Sequence, residues 1–446
     1  MHRLRFALAA LVVTLLAPGL AACSGPGFKY ERDKSLLPAS VTPYPAANFA
    51  VFSDPHIFSP TLGDGAKLDE YLNGDRKLLR ESVVILEEVI TGLRTETADF
   101  VIVPGDLTKD GELASHALCA SLLSRIEASG KEVYVVPGNH DILNPHAMRY
   151  EGDSEEPTQN VTAQDFARIY GQFGFDEALR RDTDSLSYVA EPVEGLWLLA
   201  LDSCLYRQNE PDGGPVTDGA FSDVTLAWIE DALIEAGRSG KTVIATMHHN
   251  LVEHFKGQDK NFGDYVLNGS SDVVRLLASY NVRLVFTGHY HAQDIAVSRR
   301  VKGHLLYDVE TGALVTYPSP YRLVQLKGQE AVIRTRTVTA IPGRETGFPE
   351  YARQFVEDGI IEIAVDTMAG YGVKGEAARK IARQVAAGFI AHYAGDERLG
   401  PGEVAITSRG TGLLGWVVVF MRKGMIRALW QDPQPADNNV TLDLVP

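Results

Sequence analysis

The sequence predicts an α/β protein whose sheets are covered on both faces by helices, followed by a smaller, mainly helical α+β region at the C-terminus. Three observations predict it. Between residues 48 and 286, short runs of β-type apolar residues alternate with stretches of helical periodicity. Those runs are apolar at nearly every position, as strands buried on both sides require. After His291 the texture changes to short alternating runs separated by Gly and Pro, and from Glu350 onward to helix.

In chain order, residues 49–52 read as the first strand and 75–93 as a helix, because Leu78, Leu79, Val83, Leu86, Val89 and Ile90 recur at helical spacing. Residues 100–103 form the next strand, 112–128 the next helix and 132–136 the third strand. An acidic, polar insertion follows at 151–159. The alternation resumes with a buried strand at 196–201, a helix at 224–236, a strand at 242–246, a helix at 273–278 and a strand at 283–286. Residues 295–338 read as antiparallel strands that supply a second sheet packed on the first. In the tail, Ile381, Val385 and Phe389 share one helical face, and two late strands are expected, one of them at 416–421. A soft boundary at 344–348 separates a main domain, 48–344, from an accessory domain, 345–446.

The first residues are a targeting segment and not part of the fold. Arg3 and Arg5 give a basic start, residues 6–16 are apolar, and Leu20-Ala21-Ala22-Cys23 has the small residues before a cysteine that bacterial lipoprotein processing needs. A membrane span needs about 20 uninterrupted apolar residues, and Pro18-Gly19 breaks the run. The expected organisation is a signal peptide at 1–22, lipid on Cys23, a tether at 23–47 and an exported, membrane-anchored enzyme. The other two cysteines, Cys119 and Cys204, are expected as free thiols. The formal charge of −16 argues against nucleic-acid polymers or anionic membrane faces as partners. It leaves room for a small phosphorylated substrate, since bound cations would dominate the local field.

Five short motifs carry the chemistry: Asp54-Pro55-His56, Gly105-Asp106, Gly138-Asn139-His140-Asp141, His248 in Met247-His248-His249, and Gly288-His289-Tyr290-His291. Four of the five directly follow an apolar strand-like run, so their side chains project from neighbouring strand ends. Asp54 and His56, like His289 and His291, alternate along what reads as extended chain, which puts each pair on one side. A carboxylate after a strand, as at Asp106, has two oxygens and can bridge two cations. Singly, each motif is as easily a turn or a packed histidine; the specificity lies in the set. Mixed carboxylate and imidazole donors suit Mn, Fe or Zn better than Ca or Mg.

The set resembles the calcineurin-like metallophosphoesterase family over residues 48–294. That resemblance implies a four-layer αββα sandwich and two metal ions. It places the first ion on Asp54, His56, Asp106 and His291, and the second on Asp106, Asn139, His248 and His289, with Asp106 bridging. His140 would be the non-ligand imidazole facing substrate, oriented by Asp141. Residues 105–111, GDLTKDG, look like the class III cyclic-nucleotide phosphodiesterases, and no Arg stands between Asp106 and Leu118 as it does in protein phosphatases. Asn250 replaces a proline usual in relatives two residues after the fourth-motif histidine, which leaves His249 as an alternative to His248.

The expected mechanism is attack of a metal-bridging hydroxide on a small phosphodiester, with His140 assisting the leaving oxygen. The competing readings are a phosphomonoesterase or nucleotidase that scavenges phosphate, and a non-catalytic binding lipoprotein. Asp202 and His254 could line the site, while His116, His146, His304 and His392 read as surface or packed histidines. Loops 206–217 and 250–268 are where substrate choice is expected.

Overall fold

The structure is a computed structural model that describes residues 42–299 and 304–445. The proposed signal peptide, Cys23 and most of the tether lie outside the described residues. The described part opens with β1 (Tyr44–Val51), so the last residues assigned to the tether are already strand. After β2 (Gly63–Asp64) and α1 (Ala66–Leu72), α2 (Ser82–Leu93) leads to β3 (Phe100–Val103) and α3 (Leu113–Glu127) to β4 (Glu132–Val135). The acidic insertion is the hairpin β5 (Met148–Glu151) and β6 (Ser154–Pro157), followed by α4 (Ala163–Ile169). Next come β7 (Arg180–Arg181), β8 (Tyr188–Val193), β9 (Leu196–Leu201), α5 (Asp223–Arg238) and β10 (Thr242–Met247). The short α6 (Gln258–Asn261), α7 (Ser270–Ser279) and β11 (Leu284–Thr287) continue the alternation. Then follow β12 (Asp294–Ser298), β13 (Leu306–Glu310), β14 (Pro320–Gly328) and β15 (Glu330–Thr337). The C-terminal part is α8 (Phe348–Gly370), α9 (Gly375–Ala394), α10 (Gly412–Ala428) and β16 (Asn439–Asp443).

Two large sheets result, ordered β16-β15-β14-β1-β3-β4 and β12-β13-β11-β10-β9-β8-β7. In the first, the parallel strands β1-β3-β4 occupy one end and antiparallel strands the other; in the second, the parallel strands β9-β10-β11-β13 are central with antiparallel strands at both margins. The strands after His291 do not make a sheet of their own: β12 and β13 extend the second sheet, and β14 and β15 the first. Side-chain alternation explains the layers. Along β9, Leu196, Leu198 and Ala200 join Phe49, Phe100 and Phe286 between the sheets. Trp197, Leu199 and Leu201 face the other way, onto Leu226, Ile229 and Leu277 of α5 and α7. On the far side α2 and α3 contribute Ile85, Leu86, Val89, Leu122 and Ile126 to the core of the first sheet. The order is helix, sheet, sheet, helix.

Three expectations need correction. The helix expected from residue 75 begins at Ser82, and the irregular stretch before it presents Arg76 and Lys77. The strand expected at 416–421 is the middle of α10, where Gly415, Val418, Val419 and Ile426 are buried at helical spacing. Three consecutive valines suggested a strand, but packing against α9 overrides so weak a propensity. The last strand, β16, is real yet pairs with β15 in the main sheet, so the chain's end returns to the first domain.

α10 buries only one side. Leu413, Leu414, Trp416, Phe420 and Met421 are each more than half exposed. Between Glu403 and Asp432 the chain has four basic residues, Arg409, Arg422, Lys423 and Arg427, and no acidic one. Among the described residues no helix is long and apolar enough to cross a membrane.

Candidate metal centre

The carboxyl ends of the parallel strands of both sheets meet at one place, where open α/β sheets put ligands. Asp54 and His56 follow β1, Asp106 follows β3, and Asn139 follows β4. His248 follows β10, and His289 and His291 follow β11. The paired ligands are not on extended chain as the sequence suggested. Asp54 (φ 51), His56 (φ 39), Asp106 (φ 48), His289 (φ 76) and His291 (φ 70) all adopt left-handed backbone. Non-glycine residues rarely do so, and they cluster at functional sites when they do. Glycines admit the close approach: a Cβ at Gly138 would lie 2.1 Å from Asp106 Oδ1, and one at Gly288 2.0 Å from Ser53 Oγ.

Potential ligand atoms of Asp54, His56, Asp106 and His291 lie within 4.8 Å of one another, as do those of Asp106, His248 and His289. All are buried, and Asp106 belongs to both groups. His56 Nε2 and His248 Nε2 are each 3.5 Å from Asp106 Oδ2. His291 Nε2 is 3.4 Å from Asp54 Oδ1, and Asn139 Oδ1 is 3.1 Å from His248 Nε2, which brings the neutral donor into the second group. The second ring nitrogens fix the tautomers. His248 Nδ1 donates to the Pro104 carbonyl at 2.8 Å and His56 Nδ1 to the Thr108 carbonyl at 3.3 Å, so Nε2 of each is left as a lone-pair donor. His289 Nε2 donates to the Asp264 carbonyl at 3.2 Å, which leaves its Nδ1. Burial holds His56, His289 and His291 below the usual imidazole range, hence neutral. Burial would raise Asp106, but the imidazoles of His248, His140 and His56 outweigh it and keep the carboxyl well below the usual range. His248 differs: burial lowers it, but the Asp106 carboxylate overrides that and raises it to about 9, so a cation would take the place of its Nε2 proton beside the ionised, shared carboxylate.

His140 lies beside the first group, its ring centroid 5.0 Å from that of His56. Its Nδ1 bonds Asp110 Oδ1 at 2.9 Å, so the orienting carboxylate is Asp110 and not Asp141. Asp141 instead accepts from the Leu107, Thr108 and Gly138 main-chain N–H groups and from the Thr108 hydroxyl, tying the second motif to the third. Asp110 stands in the quoted GDLTKDG run, so its residue type was visible, but its contact depends on a loop folding back 30 positions.

His249 is turned away, its Nδ1 on Ser203 Oγ at 2.8 Å and its Nε2 on the Thr217 carbonyl at 2.9 Å, which leaves His248 in the centre. Asn250 stands in place of proline for a local reason. Its N–H donates to the Tyr265 carbonyl at 3.1 Å and its side chain to the Gly288 carbonyl at 3.2 Å. His254 does not line the site; it is buried against Asp294, 2.9 Å away, and Asp308, 3.4 Å away. Asp202 caps its turn, accepting from Leu186 N–H, Cys204 N–H and the Tyr206 hydroxyl. His116 is packed, with Tyr170 and the Asp141 carbonyl as partners. Cys119 and Cys204 are free. The 250–268 loop does border the centre, since the Tyr265 ring lies 4.6 Å from that of His289.

Two cations escaped the sequence reading. Lys77 is buried, and after burial its charge adds a downward push on His56, His140 and His291, though Asp106 and Asp110 leave His140 raised overall; Arg76 acts on His291 and donates to the Tyr393 hydroxyl at 3.0 Å. Nothing local marks either one, because they sit in a stretch whose apolar spacing continues the next helix.

Parallel strands that aim two carboxylates, an amide and four imidazoles at one point define a dinuclear metal hydrolase. The family model for calcineurin-like phosphoesterases matches residues 47–293, and the chain belongs to that family. It is a metal-dependent phosphoric ester hydrolase using two metal ions, and its substrate is a small phosphoester. No curated protein matches the chain. Solved structures match the chain at low similarity. A dimetal phosphatase from Danio rerio is 15% identical over 66% of this chain and 96% of its own, with a TM-score of 0.47. A Thermus thermophilus sulfate thiohydrolase is 13% identical over 72% and 62%, with a TM-score of 0.36. A Haemophilus influenzae NAD nucleotidase is 11% identical over 66% and 49%, with a TM-score of 0.33.

Proposed function

We propose that this hydrolase is a phosphodiesterase acting on cyclic nucleotides or similar small diesters, exported and tethered to the membrane by lipid on Cys23. The observation that carries the diester reading is the Asp110–His140 pair beside the metal ligands. The leaving oxygen of an alkyl diester departs as an alkoxide and needs a proton; His140 Nδ1–H donates to Asp110, and against burial Asp106 and Asp110 raise the imidazole's pKa, so that the protonated ring can give the proton on Nε2. Lys77, with Asp75 Oδ2 3.8 Å from its ammonium, and Arg76, engaged by the Tyr393 hydroxyl, add only partly free positive charge, which suits a monoanionic diester better than a dianionic monoester. Two bound metal ions supply water activation and charge neutralisation at the phosphoryl group. Tyr265 and the rest of the 250–268 loop would form the wall that selects the leaving group.

The lipid tether is supported by Leu20-Ala21-Ala22-Cys23 and by α10, whose exposed Trp416, Phe420 and Leu413 beside Arg422 and Lys423 suit an interfacial helix on an anionic bilayer. The overall negative charge weighs against anionic surfaces in general, but residues 404–431 carry four basic side chains and no acidic one. The test is a panel of a cyclic nucleotide, a bis-aryl phosphate and an aryl monoester, assayed with added Mn²⁺ alongside metal analysis. Faster hydrolysis of the diesters supports the proposal; turnover of the monoester alone would sink it.

A further inference from the structure

Away from the catalytic ligands, the junction between the C-terminal helices and the sheets holds a second concentration of acid. Asp294 opens β12, three residues past His291; His392 is in the last turn of α9; Glu397 and Asp396 follow it; Asp432 and Asp437 precede β16. Potential ligand atoms of Asp294, His392 and Glu397 lie within 4.8 Å of one another, and so do those of Asp396, Asp432 and Asp437. The two triads adjoin, since the charges of Asp294 and Glu397 act on both Asp432 and Asp437.

The second observation is independent of the acid count. Asp294 is 1% exposed and Glu397 4%, yet Asp294 Oδ2 and Glu397 Oε2 have no hydrogen-bond partner, and neither oxygen of Asp432 has one. Their other oxygens are occupied: Asp294 Oδ1 accepts from His254 Nδ1 at 2.9 Å, and Glu397 Oε1 from His392 Nδ1 at 2.9 Å. Asp396 and Asp437 are held by backbone N–H groups and Asn438. The one buried arginine nearby, Arg322, spends its donors on the carbonyls of Glu310, Asp294 and Asp437 and not on the carboxylates. Buried carboxylate oxygens without donors are costly, and burial together with the neighbouring acids pushes Asp437 up to about 9. Four carboxylate oxygens without hydrogen-bond donors thus lie in two adjoining groups, where further nearby cationic groups are His392, whose Nδ1 is 3.8 Å from Asp294 Oδ2, and Arg398, whose charge acts on Asp432.

We infer that a hard divalent cation of the calcium class is held by Asp294 Oδ2, Glu397 Oε2 and the Asp432 carboxylate, with Asp396 and Asp437 alongside. Calcium takes six to eight oxygen ligands in flexible geometry, which matches an oxygen-dominated set drawn from a strand end and two loops. The ion would couple the end of α9 and the segment before β16 to the strand that follows His291, making it a structural clamp on the fifth motif.

The experiment uses the full chain with its catalytic site filled with Mn²⁺. Protein equilibrated in about 1 mM calcium, the range in which extracellular calcium modules fill, is desalted and its metals are counted. One retained calcium is expected, with Tm rising on the order of 5 °C between manganese-loaded samples without and with calcium. Asp432→Asn, at a half-buried position that tolerates the change, should lose both effects and keep its manganese. Asp106→Asn should lose manganese and keep the calcium response. The inference is overturned by absence of retained calcium with a flat Tm, by calcium that survives Asp432→Asn, by a calcium response that disappears in Asp106→Asn, or by zinc or manganese taking the site instead.

Discussion

Asp54, His56, Asp106, His289 and His291 each hold a left-handed backbone that costs a non-glycine residue on the order of 1–3 kcal/mol. Five such residues at one point are sustained because the surrounding sheets leave the loops no alternative, and the strain fixes the donors before any metal arrives. His140 differs from them: it is partly exposed and takes no place in either ligand group. We therefore expect His140→Ala to keep full metal content while kcat falls roughly 10²–10⁴-fold on a diester, the range typical of a lost general acid. Loss of metal in that variant would make His140 a ligand and contradict its role. Asp110→Asn keeps the shape but removes the charge behind the imidazole, so kcat should drop about 10-fold with KM little changed. Equal activity of wild type and Asp110→Asn would show that the 2.9 Å contact is only structural.

Among the elements, α8 ties the accessory helices to the site. Gly359 on α8 packs so closely on the loop before α2 that a Cβ would lie 2.3 Å from the Asp75 carbonyl oxygen. That loop carries Arg76 and Lys77, so Gly359→Val should push both cations away from the centre. The expected outcome is a KM raised about 10-fold with manganese content unchanged, since one charge-assisted contact to substrate is worth roughly 1.5–3 kcal/mol. An unchanged KM would mean that Lys77 does not meet substrate. The same scale shows why α10 was misread. Residues 416–420 are all β-branched or aromatic, and only the partner surface of α9 decides that Val418 and Val419 face inward while Trp416 and Phe420 do not. For that outer face, a Trp416→Ser/Phe420→Ser variant should bind anionic vesicles at least 10-fold more weakly than wild type in co-sedimentation at low salt. Equal binding of the two would remove α10 from the membrane reading.

For the whole molecule, the motifs and their order were legible because each ligand abuts a strand whose apolar run is itself legible. The strand-helix alternation gave the layers for the same reason. What was hidden depends on contacts far apart in sequence. Asp110 reaches His140 across 30 positions, Arg76 meets Tyr393 across 317, and β16 returns to β15 from the end of the chain. One whole-molecule consequence concerns the metals. Asp54, Asp106 and Asn139 come from one sheet, and His248, His289 and His291 from the other, so two ions bound between them join the sheets across the sandwich. Binding that occurs only in the folded state adds about 2.7 kcal/mol of stability at a hundredfold excess over Kd. A chain of this size should then lose roughly 5–10 °C in Tm when a strong chelator removes both ions, with activity lost in the same step. Readdition of Mn²⁺ should restore both. The Asp106→Asn variant, missing the shared carboxylate, should start near the Tm of the manganese-free protein and gain little from Mn²⁺. If chelation abolishes activity but leaves the melting curve in place, the ions serve catalysis alone and the sheets hold together without them.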